Sequence, residues 1–445
     1  MDSEYIISTI LNVDKENVEL FDISFSEDKK IIYIHIQLER SIYHCPYCGS
    51  KVNILNYTTR NYKHLDIFDK ESFIVWKRRR YKCKECHKTF SEDNPFGPNN
   101  LHVTYAVLQS IMDDLSHLLT IKYIADKNHV SQTVVETYLD SFLSFPRIKL
   151  PKNLGMDEIH SGMAKYGGAY LGILIDNDNN NLIDILPNRS KPTLIRYLDK
   201  IPKEELDSVE YVTMDMWEPY RDVALKYFKN ALIAVDPFHV IKHLDKGFND
   251  LRIKIMNEKP YGSNHYYLLK KWNWLLIKQD IKLDNEPKYN KHFKSKLNYR
   301  DIYNMLIKID DDLTKAYNLK EDFHAYIKYA DTSNDEEWFD ILYKDFKEAN
   351  LECYKEFTEM IYRWKDFIIN SFIRTGPANK KLTNATTEHM NGEINNLIRI
   401  SNGLDNFDRF RIRAIYMFNN EISYTLRLTL STNKRKGNKR GPYKK

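Results

Sequence analysis

The feature that most restricts the fold is a pair of cysteine turns. Cys45-Pro46-Tyr47-Cys48-Gly49 and Cys83-Lys84-Glu85-Cys86 carry four of the chain's five cysteines. Within each C-x-x-C turn two thiolates converge on one ion, and two turns complete a closed tetrahedral shell of four sulfurs, the ligand set of structural zinc. The 34 residues between Cys48 and Cys83 must therefore leave the ion and return to it. Strands satisfy that requirement. Ser72-Phe73-Ile74-Val75-Trp76 is a candidate within that interval, and Ile31 to Leu38, upstream of both turns, is a further strand candidate of the same module. The ion supplies folding free energy that so small a module lacks. An all-thiolate shell leaves no open position for chemistry, so this zinc is structural. Cys353 stands alone in a helical pattern and reads as core. In a reducing compartment such paired cysteines signal metal rather than disulfides.

Charge is informative locally, not globally. With 67 Lys+Arg against 62 Asp+Glu the net is only +5. Yet Lys77-Arg78-Arg79-Arg80 is a compact basic block, and Asn433 to Lys445 holds seven Lys/Arg and no acid. Blocks of this kind suit a polyanion. No run of 18 apolar residues occurs, so no membrane-spanning helix is expected. Met1-Asp2-Ser3-Glu4 begins no apolar signal core. The expected location is the cytoplasm.

After a turn-rich stretch at 94–100, Tyr105 to Leu119, Thr120 to Asn128 and a segment from Ser131 read as three helices. The last two have the shape of a helix-turn-helix: Ile124 and Ala125 pack inward, Val130 sits in the turn, and Ser131, Gln132 and Thr133 open the second helix. Polar side chains there can reach base edges in a major groove. Gln132 is the best placed. An ordinary helical hairpin fits these residues equally well.

Beyond a linker at Pro146, Pro151 and Gly155, short apolar strands alternate with helices. Met156 to His160, Ala169 to Ile175 and Leu182 to Leu186 form a meander. Val209 to Met214 and Ala231 to Val235 flank a helix from about Pro219 to Phe228. That order predicts an α/β fold with a mixed sheet. The expected organisation is a zinc-ribbon β module at 1–100, helix-turn-helix at 101–150, a first catalytic part at 151–244, a helical insertion at 245–375, a last catalytic part at 376–430 and a basic tail at 431–445.

One acid lies at the end of a strand-like run and another just after an apolar strand. Asp157 lies in Gly155-Met156-Asp157-Glu158 and Asp215 in Val212-Thr213-Met214-Asp215-Met216-Trp217. Acids on neighbouring strands can hold hard divalent cations such as Mg²⁺, and two such ions serve phosphodiester chemistry. Spacing alone leaves Glu158, Asp176, Glu218 and Asp236 as alternatives.

Three segments resemble bacterial insertion-sequence transposases of the DDE type, in the ISL-three group. They are Met214 to Val223, then Ala234-Val235-Asp236-Pro237-Phe238-His239-Val240, then Asn384-Ala385-Thr386-Thr387-Glu388 with Asn391, Ile394, Arg399, Gly403, Asn406-Phe407 and Phe410-Arg411-Ile412-Arg413. The order of cysteine pairs, helix-turn-helix and Asp157 also follows that family, so the resemblance spans roughly residues 40 to 420. It implies a ribonuclease-H-like catalytic sheet with an all-α insertion, plus the zinc ribbon and helix-turn-helix. It implies Asp157, Asp215 and Glu388 as a triad for Mg²⁺ (or Mn²⁺). Glu393 rivals Glu388, but five residues on it faces another side of a helix. Asp215 and Glu388 lie 173 positions apart, which leaves room for the insertion. The resemblance further implies cutting and joining of double-stranded DNA at terminal inverted repeats, a homo-oligomer that pairs two ends as a dimer, and a nucleoid-associated protein. His389 departs from the family's glycine after the third acid. Rival readings are a non-cleaving zinc/helix-turn-helix regulator and a nuclease relative acting on RNA hybrids.

Overall fold

The computed structural model describes residues 17–98, 101–141, 143–162, 169–376, 379–401, 406–420 and 425–426. The basic tail, Gly403 and Phe142 lie outside the described residues. The chain divides into two compact units, one of residues 1–148 and 393–445, the other of residues 149–392.

The first unit opens with a five-stranded sheet. Its strands are β1 (Val18–Phe25), β2 (Ile31–Leu38), β3 (Val52–Ile67), β4 (Lys70–Cys83) and β5 (Thr89–Ser91), in the order β1-β2-β4-β3, with β5 also on β4. Ile67 pairs with Lys70 across a two-residue turn, and Phe68 and Asp69 both have positive φ, 51° and 58°. This is the doubly left-handed turn that matches the twist of a hairpin. Along β4 the buried side chains shift from Ser72, Ile74 and Trp76 to Arg79, Tyr81 and Cys83. Alternate residues of a strand face opposite sides, so the sheet packs one face at one end and the other face at the other. Ile32, Ile34, Ile36, Tyr62, Ile74, Trp76 and Phe96 form the first core. Cys45, Val52, Tyr81 and Cys83 form the second, at the cysteine turns.

Three helices follow: α1 (Tyr105–Leu115), α2 (Ile121–Lys127) and α3 (Gln132–Ser141). Thr104 and Thr120 cap the first two by accepting from Val107 N–H and Tyr123 N–H. Between α2 and α3, Val130 N–H donates to Ala125 O at 3.0 Å, and His129 takes φ 50°. Ile124, Ala125, Val135 and Leu139 are fully buried in one cluster with α1. A two-residue strand β6 (Leu143–Ser144) ends this stretch.

The second unit is built on another five-stranded sheet: β7 (Asn153–His160), β8 (Tyr170–Asp176), β9 (Asn181–Leu186), β10 (Tyr211–Met214) and β11 (Leu232–Val235). The spatial order is β11-β10-β7-β8-β9. β7, β8 and β9 pair antiparallel, as a meander must, while β10 and β11 run parallel to β7. This is the ribonuclease-H-like arrangement. Parallel neighbours need crossovers, supplied by α4 (Lys191–Leu198), α5 (Lys203–Leu206) and α6 (Glu218–Tyr227). β8, β9 and the ends of β10 and β11 are almost wholly buried, which is why they read as unbroken apolar runs.

The insertion runs from α7 (Pro237–Glu258) through α8 (Asn264–Lys271), α9 (Trp274–Ile277), α10 (Tyr299–Ile307), α11 (Asp311–Tyr329), α12 (Asp335–Ala349), α13 (Lys355–Arg363) and α14 (Lys365–Asn370). It is not purely helical. After Pro287, β12 (Lys288–Asn290) and β13 (Ser295–Leu297) form a hairpin, and β14 (Arg374–Thr375) pairs with β15 (Lys380–Lys381) at its exit. Its tryptophans pack against other rings: Trp272 and Trp274 with Tyr299, Trp338 with Tyr326, and Trp364 with Phe367. Among the described residues no helix is long and apolar enough to cross a membrane.

The chain closes with α15 (Ala385–Ile400), α16 (Phe407–Phe418) and β16 (Thr425–Leu426), the last paired with β6. α16 packs on the three-helix cluster through Ile412 and Tyr416. Arg409 holds Asp140 of α3 with two bonds of 2.8 and 2.7 Å. The buried Arg413 donates to the carbonyls of His117 and Leu119 at 3.0 and 2.5 Å, tying off the turn between α1 and α2.

Candidate active site

Register brings two acids level. Met156 of β7 pairs with Met214, the last residue of the parallel β10, so Asp157, still within β7, and Asp215, just past β10, stand side by side on two central strands. One carboxylate oxygen from each of Asp157, Glu158 and Asp215 lies within 4.8 Å of the others. Asp157 is 6% exposed. Burial first, and then the charge of Asp215, push its carboxyl up to about 8. Burial, with Glu158 and Asp236 behind it, pushes Asp215 up to about 7. Two buried aspartates so close resist full ionisation in the absence of a cation.

Helix α15 supplies amides to this cluster. Asn391 Nδ2 donates to Asp157 Oδ2 at 2.6 Å, and Asn384, just before the helix, donates to Asp215 Oδ1 at 3.2 Å. The helix comes this close because β7 has a glycine beneath it. A Cβ on Gly155 would stand 2.6 Å from Thr387 Oγ1. Glu158 N–H donates to Asp157 Oδ1 at 2.7 Å, and the buried Tyr220 hydroxyl donates to the Asp157 carbonyl at 3.0 Å. His239, in the first turn of α7, brings Nδ1 within 3.1 Å of Asp215 Oδ1. That nitrogen has no hydrogen-bond partner, so the contact is an ion-pair distance without bond alignment.

The residues fit a divalent metal. Glu158 Oε2, Asn384 Oδ1 and Asn391 Oδ1 are buried acceptors without a donor. Orphan acceptors beside crowded carboxylates suit a hard, oxygen-seeking cation. Glu388 stands apart from the three-acid group. It is exposed in the first turn of α15, and its charge is felt at Asp236, which caps α7 by accepting from Phe238 N–H at 3.2 Å. Glu393 is half-buried and belongs to the other compact unit. Of the sequence alternatives, Glu158 joins the cluster. Asp176 is buried and occupied by the turn after β8, accepting from Asp178 and Asn179. Glu218 lies exposed, near Arg363. Asn384 and Asn391 were visible in sequence only as members of a motif. Nothing local in the sequence says that their amides meet carboxylates more than 160 residues away.

The cysteine turns converge. Sγ atoms of Cys45 and Cys86 lie 3.6 Å apart, and those of Cys48 and Cys83 3.5 Å. All four lie within 4.8 Å of one another. A tetrahedron with Zn–S bonds of about 2.3 Å has edges close to these separations. Gly49, at φ 73°, donates its N–H to Cys45 O at 2.9 Å and closes the first turn. The Ser50 backbone N–H and hydroxyl pull the Cys48 thiol down to about 6, favouring the thiolate a metal needs.

The candidate DNA-contacting residues divide. Ser131, Gln132 and Thr133 are all exposed at the start of α3. Lys77 and Arg80 are exposed on β4, and Arg78 is half-buried against the Trp76 ring with Nε on Glu92 O at 2.7 Å. Arg79 is a correction to the sequence reading. It is 2% exposed and its guanidinium is engaged inside the module by Glu92, at 2.9 Å, and by Glu19. The strand alternation that exposes Arg80 turns Arg79 into the second core.

Comparison with known proteins agrees with this geometry. A family model described as transposase, of the DDE type in the ISL3 group, matches residues 154–414. A second, described as the zinc-finger of transposase IS204/IS1001/IS1096/IS1165, matches residues 43–86. The chain is 21% identical over 264 residues to the transposase for insertion sequence element IS1001 of Bordetella parapertussis, covering 58% of this chain and 64% of that one. It is 24% identical over 277 residues to the transposase for insertion sequence element IS1557 of Mycobacterium tuberculosis, covering 58% and 61%. An insertion element ISM1 uncharacterized 48.3 kDa protein of Methanobrevibacter smithii is 25% identical over 345 residues, covering 73% and 79%. The chain thus spans less than two thirds of the length of the two named transposases.

Proposed function

Because the chain belongs to the ISL3 group of DDE-type transposases, we propose that it binds the terminal inverted repeats of an insertion sequence and cuts and joins DNA strands there. The observation that carries this reading is the convergence of Asp157 and Asp215 on the neighbouring parallel strands β7 and β10, with α15 closing over them. When bound, a pair of divalent ions, Mg²⁺ by the hardness of the donors, supplies activation of the attacking oxygen and stabilisation of the leaving one. Asp157 and Asp215 hold that charge, and Glu388 completes the set from the first turn of α15. Asn391 and Asn384 orient the two carboxylates. Tyr220 fixes the backbone at Asp157.

In the same reading Ser131, Gln132 and Thr133 enter a major groove, and Lys77, Arg78 and Arg80 meet phosphates. Four cysteines keep the ribbon folded around zinc. Two copies pair two ends. The test uses purified protein, Mg²⁺ and a supercoiled plasmid carrying the DNA that flanks the gene. Wild type nicks and linearises the plasmid at the repeat ends. Asp157→Ala, Asp215→Ala and Glu388→Ala do not, yet still shift a labelled end duplex. Wild-type binding without metal-dependent cutting would leave a regulator. Cutting lost in Glu393→Ala but kept in Glu388→Ala would move the third acid.

A further inference from the structure

The acid cluster has a cation at its rim that the proposed chemistry leaves unused. After β9 the chain passes close over β8. A Cβ on Gly172 would stand 3.3 Å from Asn188 O, tight enough to push the two segments a few tenths of an ångström apart, and 3.6 Å from Arg189 Cα, in ordinary contact. Gly172 is the register partner of Glu158. The approach therefore brings Arg189 beside Glu158, and Arg189 Nη1 pairs with Glu158 Oε1. The guanidinium also lies over the Tyr170 ring at 4.2 Å and the Trp217 ring at 4.6 Å. Trp217 follows Asp215 by two residues, and Tyr170 is on the strand next to Glu158.

A carboxylate and two rings thus fix the orientation of a planar cation next to three acids. Its side chain remains 32% exposed. Guanidinium carries five N–H donors, and one carboxylate oxygen uses few of them. The remaining edge has the spacing that matches two oxygens of a phosphate. A site walled by acids repels a polyanionic strand, so a fixed cation at the rim is what allows a phosphate to rest there. We propose that Arg189 grips a non-bridging oxygen of the phosphodiester being cut and holds it over Asp157, Glu158 and Asp215. This inference rests on the reading of the chain as a DNA-cutting enzyme.

The test compares wild type with Arg189→Gln, which keeps a planar hydrogen-bonding group but removes the charge, and Arg189→Lys, which keeps the charge but not the fork. The probe is a duplex of the gene's flanking DNA. Affinity is measured against salt without metal, and single-turnover cutting is measured with Mg²⁺. For Arg189→Gln the slope of log K against log salt should fall in magnitude by about 0.9, the share of one phosphate. Cutting should slow about 100-fold, the usual loss for one charge-stabilising donor. Arg189→Lys should restore the slope but not the rate. The slope reports ion release rather than fold stability, so it still decides the matter if Arg189→Gln melts earlier. An unchanged slope and rate in Arg189→Gln overturns the inference. If Asp157→Ala cuts like wild type, the enzymatic reading itself fails. If Asp157→Ala is dead while Arg189→Gln is normal, only the role of Arg189 falls.

Discussion

Asp157 carries the most specific residue-scale consequence. Its carboxyl is held well above the ordinary carboxylate range by burial and by Asp215. A carboxyl raised in the folded state binds more protons folded than unfolded between the two values, so stability falls as pH rises through that window. The window here runs from the ordinary value near 4 up to about 8. Metal-free protein should therefore lose melting temperature from about pH 5.5 to 8 more steeply than Asp157→Asn, which removes the titrating group. Mg²⁺ neutralises the ionised cluster, so its stabilisation should be larger at pH 8 than at pH 5.5. Parallel pH profiles for wild type and Asp157→Asn would contradict this account. Gly155 gives a second residue-scale test. Any side chain there meets Thr387 Oγ1 and Asn177 Oδ1, at 2.6 and 2.8 Å from the Cβ position. Gly155→Val should cost about 1–3 kcal/mol, the usual range for overpacking. It should also displace the Asn391 amide from Asp157 and so abolish cutting. Gly155→Ala combined with Thr387→Ala should recover part of the stability in denaturant melts. No recovery would mean that the helix is set elsewhere.

At the scale of elements, helix α3 presents Gln132 to solvent while Val135 and Leu139 anchor it from behind. Its position is further fixed by Arg409, whose two bonds to Asp140 come from α16. A helix held on its inner face and polar at its exposed start suits base readout. Gln132→Ala should relax sequence preference in a binding-site selection with little change in melting temperature, because base contacts specify while phosphate contacts position. An unchanged preferred site would move readout to another element. The same logic excludes Arg79 from phosphate contact. Of the four basic residues at 77–80, it is the one whose charge is satisfied internally.

The whole molecule has two compact units that share one helix, α15, which begins in the unit of residues 149–392 and ends in the other. Each unit has its own metal logic, soft thiolates in one and hard carboxylates in the other. Calorimetry should show two transitions. Zinc removal, or Cys83→Ala, should lower one of them and abolish about one equivalent of bound zinc. Mg²⁺ should raise the other. A single transition that both metals move would mean that α15 couples the units into one cooperative whole.

The local and chemically marked parts are legible in the order of residues alone. The cysteine turns, the strands of the second sheet and the helices α1 to α3 were legible because turn chemistry and hydrophobic periodicity act within about ten residues. Asp157 and Asp215 were legible because each belongs to, or directly follows, an apolar strand-like run. Tertiary structure alone decided the rest. β3 is a long edge strand in which Ile54, Leu55 and Tyr57 are scattered among polar residues from Asn53 to Asn61, so its pairing with β4 leaves no clean alternation in its own sequence. The switch of buried face along β4, which removes Arg79 from solvent, depends on which core packs each end of the sheet. Asn384 and Asn391 reach the two aspartates, and Arg189 reaches Glu158, only through strand register and through glycines that let backbone and helix approach. Such convergence depends on contacts between residues far apart in the chain, and no local pattern of residue types encodes it.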